Sequence, residues 1–184
     1  LSFDGWRWDY INRQPATNLK ALAARGIRAR AMIPSFPVLT FPNHYTIITG
    51  LYPEHHGIVG NNMRDPEMPD KFTMSAGTSR NTRWWGGEPL WVTAIRQGRR
   101  AATMFWPGSE TVIGGVRPTY WKPYDETYPT PGRVTQALAW LALPAAERPS
   151  FVSLYFEEVD TAGHDFGPDS PELALAVRHL DDAL

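Results

Sequence analysis

The segment Phe151-Val152-Ser153-Leu154-Tyr155-Phe156 is a nearly continuous apolar run. A run of this kind is the signature of a strand buried on both faces, as in parallel sheets covered by helices. Around it, strand and helix signals alternate. Leu1-Ser2-Phe3 reads as the end of a buried strand with Asp4 at its carboxyl edge. Thr17 or Asn18 can cap a short helix carrying Leu19, Leu22 and Ala23 on one face, closed by Gly26. Ile27 to Ile33 is expected as a strand, although its arginines suit a central position poorly. Phe41 to Thr49 reads as a helix with Thr40 at its cap, Pro42 in the first turn and Gly50 past the end. Pro89 to Gln97 is a further helix and Ala101 to Trp106 a further strand. Gly132 to Leu143 is helical with Val134, Leu138 and Leu141 on one stripe, and Pro171 to Leu184 is helical again.

This alternation predicts an α/β layered domain with a mostly parallel central sheet flanked by helices. Composition agrees. The 184 residues are 42% hydrophobic and 20% charged, far from a disordered chain. A net charge of −1 argues against a polyanion binder held by bulk charge. No apolar run approaches the roughly 20 residues that span a bilayer. Without cysteine there is no disulfide, no thiol nucleophile and no Cys-ligated zinc, so a metal would need His, Asp, Glu or hydroxyl ligands. Seventeen prolines, fifteen glycines and eight tryptophans predict ordered loops with aromatic anchors. Residues 61–88 are too long for a plain connection and read as a functional excursion, and 107–130 read as irregular. The first residues carry neither Met nor a signal peptide, and the last helix pattern stops without a cap, so the chain is expected to be part of a longer protein.

In folds of this class ligands gather beyond the carboxyl ends of strands. Three segments fall there: Asp4, Thr40 after Ile27–Ile33 and its loop, and Asp160 after Phe151–Phe156. Asp4 can cap its turn or ligate a metal. Asp160 and His164 are four residues apart, a spacing that puts both on one face of a helical turn and can also bring them together on a tight Gly-containing loop; they form either a satisfied turn or an oxygen–nitrogen pair suited to zinc or a related metal. Thr40 can be a plain helix cap or a nucleophile at a helix N-terminus, where free N–H groups and the dipole favour a phosphate oxyanion. In the second role a metal must lower its pKa. Asn61 is a turn residue or an amide donor to a phosphoryl oxygen. Phe41 and Tyr155 are core aromatics or a stacking slot for a base. His44 reads as structural. His55 and His56 occupy a Pro-Glu-His-His-Gly turn, as turn residues or as metal ligands, His179 an exposed helix face, and Asp181-Asp182 the surface of that helix.

Taken together, Thr40-Phe41-Pro42-Asn43-His44-Tyr45, Thr49-Gly50-Leu51-Tyr52-Pro53-Glu54, His56-Gly57-Ile58, Glu88-Pro89-Leu90-Trp91, Phe105-Trp106-Pro107-Gly108-Ser109 and Asp160-Thr161-Ala162-Gly163-His164-Asp165-Phe166-Gly167-Pro168 resemble the nucleotide pyrophosphatase/phosphodiesterase family of the alkaline phosphatase superfamily. Ser2-Phe3-Asp4-Gly5 is similar to the family's first metal-binding strand end. The resemblance runs over essentially the whole chain, 1–184, as part of a catalytic domain. It implies an alkaline-phosphatase-like fold and hydrolysis of phosphodiester or pyrophosphate bonds with two zinc ions. It makes Thr40 the nucleophile, forming a nucleotidyl-threonine. Asp4 and Thr40 would belong to one zinc site, and Asp160 and His164 to the other. Asn61 would hold the phosphoryl oxygen, while Phe41 and Tyr155 would sandwich a nucleobase. The family's later Asp-His pair and further His have no counterpart here, so the segment alone is expected to be nearly inactive.

The implied partner is a nucleotide or another small phosphodiester, with no nucleic-acid-specific binding. Family members usually act outside the cytoplasm, which favours a periplasmic or extracellular location. Thr at the nucleophile position and the absence of Cys speak against a sulfatase. A choline-lipid diesterase, with Phe41 and Tyr155 contacting the cation, is the competing enzyme. A non-catalytic nucleotide-binding module is the competing class.

Overall fold

The computed structural model describes residues 1–74 and 76–184. Among the described residues the strands are β1 Ser2–Phe3, β2 Ala101–Met104, β3 Tyr120–Lys122 and β4 Phe151–Phe156. They lie in the order β1-β4-β2-β3, and every pairing is parallel. The helices are α1 Tyr10–Arg13, α2 Thr17–Arg25, α3 Thr40–Thr49, α4 Pro53–His56, α5 Ala76–Ser79, α6 Leu90–Arg96, α7 Thr130–Leu141, α8 Glu158–Phe166 and α9 Pro171–Asp182. This is the expected α/β architecture. Among the described residues no helix is long and apolar enough to cross a membrane.

The chain divides into two compact units. One comprises Leu1–Ile33, Glu126–Leu138 and Tyr155–Leu184; the other comprises Pro34–Asp125 and Ala139–Leu154. In the second unit, Phe151 to Leu154 of β4 pairs with Ala101 to Met104 of β2, and all four β2 residues are buried. α6 packs on β2. Tyr45 and Ile48 of α3, Ile58, Phe72, Trp84, Trp85 and Trp91 form its core. The long excursion 61–88 therefore contributes aromatic anchors to this core, held by an antiparallel bridge between Met63 and Phe72. In the first unit, Tyr155 and Phe156 pair with Ser2 and Phe3 of β1, and α8 packs on α9 and β1.

Several expectations change. Ile27–Ile33 forms no strand: a strand needs a ladder partner, the segment has none among the described residues, and Ile27, Arg28, Arg30 and Ile33 stand exposed. Thr40 therefore follows a loop rather than a strand exit. β3 lies inside the stretch expected to be irregular, because three residues are too few for periodicity to register. On α7 the buried residues are Thr130, Arg133, Ala137 and Trp140, whereas Leu138 and Leu141 are exposed. The arginine is admitted because it finds a carboxylate. Neither Thr17 nor Asn18 caps α2: Ala16 occupies the cap position, and the carboxylate of Asp181 accepts the Asn18 and Leu19 N–H groups at 2.7 and 2.8 Å. Asp181 is thus 1% exposed rather than at the surface.

Candidate active site

In the second unit, helix α3 begins at Thr40, with Leu39 in an extended conformation at the cap position and no side-chain cap of its own. Thr40 is thus the first helical residue, not the cap. The missing cap is supplied from a distance: Asn61 Oδ1 accepts the Phe41 N–H at 2.9 Å. Because an N–H must face an oxygen, the Asn61 amide nitrogen points the other way as a donor. Pro42 has no N–H, and the Asn43 N–H goes to the Leu39 carbonyl at 3.2 Å. The helix start therefore offers fewer open backbone donors than an ordinary N-terminus. The Thr40 N–H and Oγ1 have no partner among the described residues. A half-buried hydroxyl, one backbone donor and one amide donor thus meet at the start of a helix.

Phe41 is half-buried. Its ring lies 5.7 Å from Phe72 and 6.1 Å from Trp85, so one side belongs to the core. His56 is buried and structural: its Nδ1 accepts the Ile58 N–H at 3.1 Å, so its Nε2–H donates to Thr46 Oγ1 at 3.0 Å. Burial holds its pKa below the usual histidine value. His44, read as structural, lies buried on the inner face of α3, and its Nδ1 is 2.7 Å from the Thr40 carbonyl.

In the first unit, Asp4 follows β1 and its N–H bonds the Phe156 carbonyl at 2.9 Å. Tyr155, buried in β4, donates its hydroxyl to Asp4 Oδ2 at 2.8 Å. Asp160 lies in the first turn of α8, and His164 one turn on, with Nε2 3.6 Å from Asp160 Oδ2. The helical arrangement of this pair matches the spacing argument. Gly5 lets the two carboxylate segments approach: it has φ +66°, and a Cβ there would lie 2.5 Å from the Asp160 Cα. Burial, and then the charge of Asp4, push the Asp160 carboxyl above its ordinary range, with His164 opposing. A carboxylate and an imidazole one helical turn apart are oxygen and nitrogen donors of the kind a divalent cation takes. Among the described residues no three His, Asp or Glu side chains come together as a complete metal-holding group.

Sequence reasoning missed what shapes the β4–α8 junction. Arg133, 1% exposed, forks onto Glu157 at 2.5 and 2.6 Å and donates to the Tyr155 carbonyl at 3.0 Å. Thr130 donates to Glu158, whose other oxygen lies 3.1 Å from His179 Nδ1. Only the two adjacent glutamates after the buried run hinted at this. The structure thus groups Asp4, Tyr155, Asp160 and His164 in one unit and Thr40, Phe41 and Asn61 in the other.

The strands and helices define an α/β domain with a parallel sheet, carrying a carboxylate–histidine pair in one unit and a helix-start threonine in the other. The model of the type I phosphodiesterase/nucleotide pyrophosphatase family matches residues 1–184, and the chain belongs to that family. It is 49% identical over 186 residues to a venom phosphodiesterase of Macrovipera lebetinus, covering all of this chain and 22% of that protein. It is 44% identical to ectonucleotide pyrophosphatase/phosphodiesterase family member 3 of Mus musculus, covering 21% of it. The chain thus spans about a fifth of the length of these relatives. Among solved structures it resembles murine ectonucleotide pyrophosphatase/phosphodiesterase 5, with TM-score 0.93 and 35% identity over 99% of this chain and 48% of that one. An inactive threonine-to-alanine variant of that murine protein in complex with AMP matches at TM-score 0.93 and 34% identity.

Proposed function

We propose that the protein hydrolyses nucleotide phosphodiester or pyrophosphate bonds through a covalent nucleotidyl-threonine on Thr40. The observation that carries this reading is the Thr40 hydroxyl at the start of α3, without a partner among the described residues, beside an Asn61 amide whose orientation is fixed by the Phe41 N–H. Family membership and the printed descriptions of the relatives support the reaction class. The inactive threonine variant holding AMP, in the murine relative, supports a required threonine and a nucleotide ligand.

Thr40 Oγ1 loses its proton to solvent and attacks phosphorus in line with the leaving oxygen. The bond to that oxygen breaks; water then attacks phosphorus, the bond to Thr40 Oγ1 breaks, and a proton from the water returns to that oxygen. Two such displacements retain configuration at phosphorus. Asn61 Nδ2 and the Thr40 N–H donate to the non-bridging oxygens. Phe41, fixed on its inner side by Phe72 and Trp85, offers its other side to a base, with Tyr155 as the second proposed aromatic. Two zinc ions are the proposed cofactors, with Asp4, Thr40, Asp160 and His164 among their ligands; they would supply the Lewis acidity that lowers a hydroxyl pKa and offsets charge on phosphate. The remaining ligands would come from outside these 184 residues, as part of a longer catalytic domain, so this segment alone is proposed to be nearly inactive.

The test is hydrolysis of p-nitrophenyl thymidine 5′-monophosphate by the complete protein, with and without zinc, beside Thr40→Ala. Zinc-dependent turnover abolished in the variant is expected. An inactive, zinc-free protein would leave a nucleotide-binding module, and turnover of choline lipids but not nucleotides would redirect the substrate class.

A further inference from the structure

The peptide unit joining Thr40 to Phe41 is gripped by side chains on both of its polar atoms. Its N–H donates to Asn61 Oδ1 at 2.9 Å. Its C=O lies 2.7 Å from His44 Nδ1. A carbonyl can only accept, so Nδ1 carries a proton. The same carbonyl belongs to the first helical residue of α3, where it faces the N–H four residues on, so His44 adds a side-chain hydrogen to a carbonyl of the i→i+4 ladder. His44 is buried, and its ring is held in turn. The Trp106 ring stands edge-on to it at 5.3 Å, and Trp106 Nε1–H donates to the His44 carbonyl at 3.2 Å. Trp106 is itself 5% exposed, in a loop entered through Phe105, a non-glycine residue at φ +62°. The chain accepts a left-handed backbone there.

We propose that His44, backed by Trp106, is a positioning residue for Thr40. It and Asn61 clamp the 40–41 peptide from opposite sides. A planar peptide held at both its donor and its acceptor cannot rotate, so the Thr40 Cα and its hydroxyl are fixed in direction. His44 need not touch the substrate. Its effect is to remove the reorientation of the attacking oxygen, a loss felt in turnover rather than in binding. This inference rests on the reading of Thr40 as the nucleophile.

The experiment is steady-state hydrolysis of p-nitrophenyl thymidine 5′-monophosphate by the complete protein carrying His44→Phe, His44→Asn, Trp106→Phe or Thr40→Ala. His44→Phe keeps an aromatic ring and removes the donor. His44→Asn places an amide nitrogen where Nδ1 was. We expect kcat of His44→Phe to fall roughly 10- to 100-fold with KM nearly unchanged, since misorientation of a reacting group costs on that order. His44→Asn should recover most of the loss. Trp106→Phe, which deletes one hydrogen bond to His44, should show a smaller kcat loss with the same KM. A folded His44→Phe with the kcat of the parent, or a His44→Asn no better than His44→Phe, would overturn the clamp. Should His44→Phe fail to fold, Trp106→Phe decides: lost kcat at unchanged KM supports the clamp, and parental kcat overturns it. Full activity in Thr40→Ala overturns the nucleophile itself, whereas a dead Thr40→Ala beside a fully active His44→Phe overturns only the clamp.

Discussion

Replacing Arg133 by Met tests how the β4–α8 junction is held. The guanidinium is 1% exposed and forks onto Glu157 at 2.5 and 2.6 Å, with the Tyr155 and Tyr128 carbonyls at 3.0 and 3.3 Å. Met fills similar volume but leaves a carboxylate without its partner. Breaking a buried pair in this way costs about 3–5 kcal/mol. Glu157 keeps a 16% exposed side chain, so water offsets part of the penalty and the low end, about 3 kcal/mol, is expected. In a domain of this size that is a fall in Tm of roughly 6–12 °C. Removing both charges, with Arg133→Met and Glu157→Leu together, leaves no unpaired ion. The Tyr155 and Tyr128 carbonyls lose a donor, so the double variant should recover to within about 1–2 kcal/mol of the parent. Urea melts followed by tryptophan fluorescence read all three proteins. A single variant losing under about 1 kcal/mol, or a double variant as unstable as the single, would refute the argument.

Three further predictions follow from the same geometry. Gly5→Ala forces a side chain into φ +66° and against the Asp160 backbone, so a loss of about 2–3 kcal/mol is expected in thermal unfolding, and a parental Tm would contradict it. Asp181→Ala removes the carboxylate that accepts the Asn18 and Leu19 N–H groups at the start of α2, a helix with no buried residue; a loss of about 2 kcal/mol and faster amide exchange across Asn18 and Leu19 are expected, whereas unchanged exchange would count against it. His56 has its pKa held down by burial, so the unfolded chain binds its proton first as pH falls. Stability from this residue is present above pH about 6.5 and is lost toward lower pH, with a slope of at most about 1.4 kcal/mol per unit, until the folded histidine also titrates. Urea midpoints between pH 7.5 and 5 should flatten in His56→Gln, and an identical slope in the variant would refute the assignment.

Where sequence and structure agree, the reason is local. The apolar run of β4 and the Thr40–Thr49 helix with Gly50 in a left-handed conformation carry their own signals, in side-chain polarity and backbone freedom. The Asp160–His164 spacing likewise needs only a helical turn. What escaped depends on distant partners. Ile27–Ile33 has strand-like residues but nothing to pair with among those described. Arg133 looks like a surface residue until Glu157, 24 positions away, is placed beside it. Asp181 caps a helix start 163 residues earlier, and Asn61 caps one 20 residues earlier. Partners of that separation leave no periodic trace in a single sequence.

The most direct test of the central claim is to mix the complete protein with a nucleotide diester, quench in acid within the first turnover and weigh its peptides. The account predicts one nucleotidyl group on the peptide containing Thr40, absent from Thr40→Ala. Rapid turnover with no adduct, or an adduct that persists when Thr40 is gone, would contradict it.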